Sequence, residues 1–295
     1  MWFMYALMTF FAWGIADLFY KKGNNENDRY SHLKTGLAVG TIMGIHATAY
    51  LFLNKTNINI IDILKYLPVS LCYITSMVIG YKGLKYLELS ISSPIQNSSG
   101  IITSILLCLI FNISLSKLEI IGIITVFVGV ISLSLFEVYY DKSNRQKIFK
   151  NITIMAVFFP IMYCIFDGLG TFLDSIYLDQ LELITEDVAL VAYEYTFFMY
   201  AIVIMLFLKK KNVPIKIERE KNKIYAALFE TFGQFTYVFA VSSHSVITVP
   251  VIACYSALSV LLSRIFLKEK LDYLQYIAIL TIFIGILILG IVEVI

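Results

Sequence analysis

The stretch TVFVGV at residues 125–130 returns as TIFIGI at residues 281–286, and both stretches lie in longer apolar segments that align without a gap. The offset is 156 residues (281 − 125), and the same offset pairs Pro94 with Pro250. Proline and glycine have special backbone requirements, so their recurrence at fixed places in Ile/Leu-rich sequence is more informative than the apolar matches. We therefore interpret the chain as an internal duplication.

The composition predicts an integral membrane protein. Of its 295 residues, 59% are hydrophobic and 15% are charged, and the mean hydropathy is +0.80. A membrane-spanning helix needs roughly 20 mostly apolar residues. Ten stretches meet this need, at about 2–21, 33–53, 63–84, 90–111, 118–138, 152–174, 187–208, 223–242, 246–267 and 273–292.

The predicted fold is all-α, with ten transmembrane helices arranged as two inverted five-helix repeats. The first repeat is expected at residues 1–147 and the second at residues 148–295. An odd number of spans in each half reverses the second half in the membrane. Duplication inside hydrophobic sequence is typical of secondary transporters, whose halves rock about a site between them.

Other classes of function find little support in the motifs. No HExxH or GxSxG signature is present, so an enzyme is not expected. The four cysteines lie inside predicted spans without metal or redox spacing, and neither a metal nor a cofactor is predicted: Cys72, Cys108, Cys164 and Cys254. The formal net charge of +2 gives no indication of nucleic-acid binding.

The distribution of Lys and Arg predicts the orientation. All 23 of these residues except Lys55, Lys65 and Lys117 lie in or beside the loops that follow odd-numbered spans. By the positive-inside rule these loops are cytoplasmic, which places both termini outside the cytoplasmic membrane.

Two segments resemble the drug/metabolite transporter superfamily of EamA type. The segment IFLKEKLDYLQYIAILTIFIGILILG, which ends at Gly290, is similar to the end of a family repeat, with Lys268 where Gly is usual and Glu269 retained. The first repeat has Ile113 at the position matched to Glu269. The opening FFAWGIADLFYKKG, from Phe10 to Gly23, resembles the family's first span with its Trp-Gly pair.

This resemblance implies a ten-span carrier of small metabolites with a central cavity between its halves. Members of the family are usually drawn with cytoplasmic termini, whereas the charge distribution of this chain predicts the reverse.

The fourth and ninth spans are too polar to face lipid. In the fourth, Gln96 and Asn97 share one helix face with Ser93, and the ninth carries Thr248 and Tyr255. Pro94 and Pro250 free backbone carbonyls, which are tolerated at membrane depth only against protein or water. We predict that these spans line the cavity and that the two prolines are hinges; close helix packing is the alternative.

Four acidic residues away from the ends of predicted spans are expected to face the protein interior, because each costs roughly 2.5–3.5 kcal/mol at the bilayer centre. They are Asp17, Asp167, Glu194 and Glu230. Trp13 precedes Asp17 by four residues and Tyr163 precedes Asp167 by four, which places ring and carboxyl on one helix face. The alternatives are pairing of Asp17 with Lys21, and of Glu194 or Glu230 with Arg264 or Lys82.

His46 is a candidate proton relay because Tyr50 follows one turn later and an imidazole changes charge near neutral pH. A buried histidine hydrogen-bonded to a neighbour is the alternative. Gly36, Gly40 and Gly44 on the same span form a face that admits another helix closely, within one chain or in a homodimer.

The sequence thus predicts a secondary transporter of a small organic metabolite, coupled to protons or another gradient. An organic cation is the first expectation, because aromatic rings around carboxyls attract cations. The substrate-binding candidates are Trp13, Asp17, Tyr73, Gln96, Asn97, Tyr163, Asp167, Glu194, Glu230 and Tyr255. The coupling candidates are Glu194, Glu230 and His46. An exporter of amino acids or other neutral metabolites and a flippase of a lipid-linked headgroup are the alternatives.

Overall fold

The computed structural model describes residues 1–25, 27–86, 89–140 and 154–292, which contain helices and no strand. The predicted boundary between residues 147 and 148 lies outside these ranges. The helices are α1 Trp2–Gly23, α2 Ser31–Asn54, α3 Ile60–Gly83, α4 Leu89–Asn97, α5 Ser99–Phe111, α6 Lys117–Tyr140, α7 Ile154–Ser175, α8 Glu186–Lys210, α9 Lys221–Ala253, α10 Tyr255–Leu262 and α11 Tyr273–Val292.

Eight helical segments in the described ranges are long and apolar enough to cross a membrane, which confirms an integral membrane protein but is fewer than the ten predicted. The difference has two sources. Lys221–Leu267 forms one segment of 47 residues where two spans were predicted, and α6 is not among the eight. Within the long segment His244 has non-helical φ −167° and ψ 73°, so the chain bends there.

The two predicted polar spans are each interrupted. α4 ends at Asn97 and α5 begins one residue after Ser98, while α9 ends at Ala253 and α10 begins after Cys254. Ser98 and Cys254 are 156 residues apart (254 − 98), the offset of the duplication. Each interruption comes four residues after a proline of the matched pair Pro94 and Pro250, the residues predicted to be hinges.

The duplication also pairs two residues that follow helix ends and have a left-handed backbone conformation. Asn112, after α5, has φ 50°, and Lys268, after the π-helical turn Ser263–Leu267, has φ 61°. This left-handed region costs an L-residue roughly 1–2 kcal/mol, which glycine avoids. Glycine, which the resembled family pattern has in place of Lys268, would adopt this conformation without that cost.

Glu269, the retained residue of the family pattern, caps a helix of the other half. Its carboxylate oxygens accept hydrogen bonds from the backbone N–H groups of Leu89 at 3.2 Å and Ser90 at 3.0 Å, at the start of α4. A negative charge and two acceptors at a helix N-terminus satisfy unpaired donors and complement the helix dipole. The turn after α10 thus fixes the start of the broken α4–α5 span.

The helices pack in matched pairs. α1 lies along α9 and α3 lies along α7, while α2 packs on α8 and α6 packs on α11. The predicted glycine face of α2 makes one of these contacts within the chain, because a Cβ at Gly40 would lie only 2.2 Å from the carbonyl oxygen of Phe197 in α8.

A charged cluster joins the loop after α1 to the start of α9. Lys34 Nζ lies 2.6 Å from Asp28 Oδ2 and 3.4 Å from Glu220 Oε1, and Glu220 also pairs with Lys223. Burial alone would raise the pKa of Asp28, but the hydrogen bonds from Lys34 and the backbone N–H of Tyr30 outweigh it and lower the pKa.

Candidate functional site

A cavity of about 830 Å³, counted with its mouth, lies between helices of both halves. Nine of the ten predicted substrate-binding residues line it, the set being Trp13, Asp17, Tyr73, Gln96, Asn97, Tyr163, Asp167, Glu230 and Tyr255. These side chains come from α1, α3, α4, α7, α9 and α10. The tenth candidate, Glu194, lies elsewhere.

Asp17 is held by the two broken spans. Its Oδ2 atom accepts hydrogen bonds from Ser93 Oγ at 2.7 Å and from Ser259 Oγ at 2.8 Å, so α4 and α10 meet at one carboxylate oxygen of α1. Lys21, the alternative partner considered from the sequence, donates from Nζ to the carbonyl oxygen of Leu84 at 2.7 Å.

Asp167 occupies a comparable place on α7. Its Oδ2 atom accepts a hydrogen bond from Ser99 Oγ at 2.7 Å, at the start of α5. The aromatic residues that precede these two aspartates each cover a glycine: a Cβ at Gly233 would lie 2.4 Å from the Trp13 ring, and one at Gly80 would lie 2.6 Å from the Tyr163 ring.

Glu230 belongs to a chain of hydroxyl groups. Tyr81 donates to the Tyr20 hydroxyl at 3.0 Å, and Tyr20 donates to Glu230 Oε2 at 3.0 Å. Lys82 and Arg264, the alternative partners predicted for Glu230, contact other groups. Lys82 Nζ sits 5.4 Å from the ring centroid of Phe159, and Arg264 Nη1 donates to the Glu269 carbonyl oxygen at 3.2 Å.

Glu194 and His46 form a separate pair between α8 and α2, outside the cavity. His46 Nδ1 lies 2.8 Å from both carboxylate oxygens of Glu194. The Glu194 side chain is fully buried, whereas 33% of the His46 side chain is exposed. Nearby, Tyr50 donates from its hydroxyl to Asp187 Oδ1 at 2.5 Å. The His46 imidazole is thus hydrogen-bonded to Glu194, which is itself a coupling candidate.

Sequence reasoning missed a further buried acid, Asp174, near the end of α7. Its side chain accepts a hydrogen bond from Tyr66, and the Tyr73 hydroxyl lies 3.5 Å from its Oδ2 atom. Asp174 was the last residue of the predicted sixth span, where a carboxyl is expected to reach the membrane surface. Tyr237 was also missed, although the duplication pairs it with Tyr81; its hydroxyl lies 2.9 Å from that of Tyr73.

The charged side chains among the described residues that line the cavity are all acidic. Three carboxyl groups, those of Asp17, Asp167 and Glu230, are among its lining residues, and none of the described lining residues is Lys or Arg. Rings of Trp13 and Tyr237 lie 5.1 Å apart between centroids at one wall. Within the described residues no cluster of metal-ligating side chains is found. The arrangement can hold a positively charged organic group among carboxyls and aromatic faces.

The fold and the site define an α-helical integral membrane protein with an acidic, aromatic-lined cavity between broken helices. The EamA-like transporter family matches the chain in two halves, residues 1–135 and 154–291, and the chain belongs to this family. It is accordingly a membrane transporter of small molecules, and the resemblance seen in the sequence is confirmed.

Comparison with other proteins adds support for the fold. No curated protein matches the chain significantly. One solved structure, described as "Crystal structure of protein", matches with a TM-score of 0.69 at 10% sequence identity, and the match covers 98% of this chain and 96% of that chain. At this identity the likeness shows a shared fold alone.

Proposed function

We propose that the chain is a secondary active transporter of a small organic cation, with an amine of choline or drug type as the first candidate. The observation that carries the proposal is the cavity with three carboxyl groups and no Lys or Arg among its described lining residues. An ionised carboxyl in the membrane interior needs a compensating charge, and a cationic substrate provides one.

Aromatic rings strengthen this preference. Trp13, Tyr163 and Tyr255 line the same cavity as the carboxyls. Each ring that faces a desolvated cation contributes about 0.5–2 kcal/mol through attraction to its π face. Quaternary and tertiary amines suit such a site, because they gain little from hydrogen bonding and keep their charge.

For the architecture, we propose ten crossings in two inverted repeats at residues 1–147 and 148–295. Lys221–Leu267 then crosses twice, turning near His244, and α6 supplies the remaining span. The family match in two halves and the matched interruptions at Ser98 and Cys254 support this arrangement. Pro94 and Pro250 would be the hinges about which the broken spans bend during alternating access.

For energy coupling, protons are the first candidate ion. Glu230 lines the cavity, so its protonation and the binding of a cation would compete directly. Glu194 and His46 lie outside the cavity and would couple through the packing of α2 on α8. We propose that the protein lies in the cytoplasmic membrane with extracytoplasmic termini, an orientation that the distribution of Lys and Arg supports.

A neutral substrate is the second candidate, favoured by a specific feature of the same cavity. Gln96, Asn97 and Gln234 supply amide donors and acceptors among the lining residues. These groups suit the amino and carboxyl groups of an amino acid, which supports the alternative of an amino-acid exporter. A flippase would instead require a lateral opening toward the bilayer.

The test is a thermal-shift screen of the purified protein in detergent. Choline and tyramine represent organic cations, phenylalanine and serine represent amino acids, and uridine represents neutral solutes. We expect a concentration-dependent rise in melting temperature with at least one amine, since a ligand that binds only the folded state stabilises it. Stabilisation by an amino acid or by uridine alone would refute the cation proposal.

A further inference from the structure

Asp174 is a buried acid outside the cavity described above. Its side chain has no exposed surface, and it lies near the end of α7. No described Lys, Arg or His forms an ion pair with it. A carboxyl without a cationic partner inside a membrane helix bundle is expensive to retain, and such residues commonly belong to ion or proton paths.

Tyrosine hydroxyls surround this carboxyl. Tyr66 donates to Oδ1, and the Tyr73 hydroxyl lies 3.5 Å from Oδ2. Tyr73 also reaches Thr171 Oγ1 at 3.1 Å and the Tyr237 hydroxyl at 2.9 Å. The titratable groups around the site are Tyr66 and Tyr73 on α3, Asp167 on α7, Tyr193 on α8, Tyr237 on α9 and Tyr177 in the turn Ile176–Gln180.

These hydroxyls suit either protonation state of the acid. A hydroxyl is both donor and acceptor, and it rotates to meet its partner. When Asp174 is ionised, Tyr66 and Tyr73 can donate to its oxygens. When it is protonated, its own O–H can donate to Tyr73 while Tyr73 donates to Tyr237 or Thr171. The network therefore needs no change in backbone or packing to gain or lose a proton.

The same hydroxyls connect Asp174 to the transport cavity. Tyr73, Thr171 and Tyr237 are lining residues of the cavity, and Asp174 lies behind them. A second network, Tyr81 to Tyr20 to Glu230, lies eight residues further along α3, about 12 Å by the helical rise. The duplication pairs Tyr81 with Tyr237, so each half contributes a matched tyrosine to a different carboxyl.

We infer that Asp174 is a proton-binding site of the transport cycle and that Tyr73 and Tyr237 pass protons between it and the cavity. The inference rests on the proposed gradient-coupled transport. In each transfer the Asp174 proton moves to the Tyr73 oxygen, the Tyr73 proton moves to the Tyr237 oxygen, and the Tyr237 proton leaves to cavity water. Each hydroxyl loses one proton and gains one, so Asp174 is the protein group that changes charge, and the water that accepts the Tyr237 proton carries the positive charge away.

Infrared difference spectroscopy of the purified protein tests this without any substrate. The C=O stretch of protonated carboxyl groups is recorded while the buffer is changed between about pH 5 and about pH 9, a range that includes buried carboxyls. We expect a titrating band that is lost in Asp174→Asn, because the amide keeps the hydrogen bonds but binds no proton. Asp167→Asn is the matched control and is expected to leave that band in place.

Tyr66→Phe is a second variant that tests the inference even when Asp174→Asn does not fold. It removes one hydrogen bond and keeps the carboxyl, so the band should remain while its frequency and titration midpoint shift. If neither Asp174→Asn nor Tyr66→Phe alters any titrating band, Asp174 exchanges no proton and the inference is wrong. That result would leave the cation proposal standing, since the thermal-shift screen measures substrate binding separately.

Discussion

Gly129 in α6 and Gly285 in α11 make reciprocal contacts across one helix interface. A Cβ at Gly129 would lie 2.6 Å from Ile282 Cγ1, and a Cβ at Gly285 would lie 2.6 Å from Val126 Cγ2. Val126 and Ile282 are themselves separated by 156 residues (282 − 126). Such exchange of equivalent partners is the signature of a two-fold relation, here between two parts of one chain. It supports the proposed pair of repeats independently of the cavity.

The first prediction concerns this interface. Gly285→Ala should lower stability by about 1–3 kcal/mol, because the new methyl group would also meet the Val126 backbone nitrogen at 2.8 Å. A backbone atom cannot move aside by rotamer change. The melting temperature in detergent measures the effect. Gly168→Ala is the control, since its Cβ would lie 3.4 Å from the nearest atom. Equal stability of both variants would contradict the tight packing at Gly285.

A second prediction uses the left-handed residue after α10. Lys268→Gly should stabilise the protein by about 1 kcal/mol, because glycine adopts φ 61° without the steric cost. Lys270→Gly removes the same charge two residues later, where φ is not positive, and should give no gain. The two melting temperatures are compared directly. A loss of stability in Lys268→Gly would show that the lysine side chain contributes more than its backbone strain costs.

The sequence predicted most of the cavity because the cost of polar groups in a membrane is a strong constraint. Asp17, Asp167 and Glu230 had to face the interior, and helical spacing brought Trp13 and Tyr163 to the same walls. The matched prolines likewise lie in the two spans that the structure shows to be interrupted. These inferences needed only local periodicity and the preference of apolar surface for lipid.

Three features could not be read from local patterns. Glu194 is separated from the cavity because α2 packs on α8 and brings His46 to it, and such partner choice depends on tertiary packing. Asp174 was overlooked because a carboxyl at a span end needs no interior partner. The hydroxyl contact between Tyr73 and Tyr237 joins residues 164 positions apart, beyond any helical period.

A third prediction tests orientation by cysteine labelling in intact cells, after replacement of the four native cysteines. Asn212→Cys, on an exposed turn after α8, should be shielded from an impermeant thiol reagent. Leu181 is 54% exposed and precedes α8, so α8 separates it from Asn212. Leu181→Cys should therefore be labelled. Labelling after lysis confirms that both sites react. The reverse pattern in intact cells would place the termini in the cytoplasm.

A fourth prediction concerns the prolines. Pro250→Ala should leave yield and ligand-induced stabilisation near normal while slowing transport, because alanine restores a backbone donor and stiffens the broken span. Transport is measured in liposomes with the amine that stabilises the protein most. Pro68→Ala is the control, since Pro68 also lies inside a helix but has Ile224 as its matched residue. Unchanged transport in Pro250→Ala would favour packing over a hinge.

The last prediction distinguishes Glu230 from Glu194, since the sequence predicts the same two roles for both. Glu230 lines the cavity and accepts a hydrogen bond from Tyr20, whereas Glu194 lies outside it and pairs with His46. Glutamine keeps the shape and most hydrogen bonds of either residue, so both variants should fold. Glu230→Gln should lose at least tenfold in amine affinity, which corresponds to about 1.4 kcal/mol, because one carboxyl charge leaves the cavity.

Glu194→Gln should reach the same maximal amine affinity as the wild type, since no cavity contact changes. The pH at which that affinity declines should shift, because the variant lacks the proposed coupling pair with His46. Thermal shifts at several amine concentrations and pH values measure both effects on the same protein preparations. Wild-type affinity of Glu230→Gln at every pH would remove this carboxyl from the cation site and favour the neutral-solute alternative. A loss of affinity in Glu194→Gln alone would move the cation site from the cavity to the α2–α8 interface.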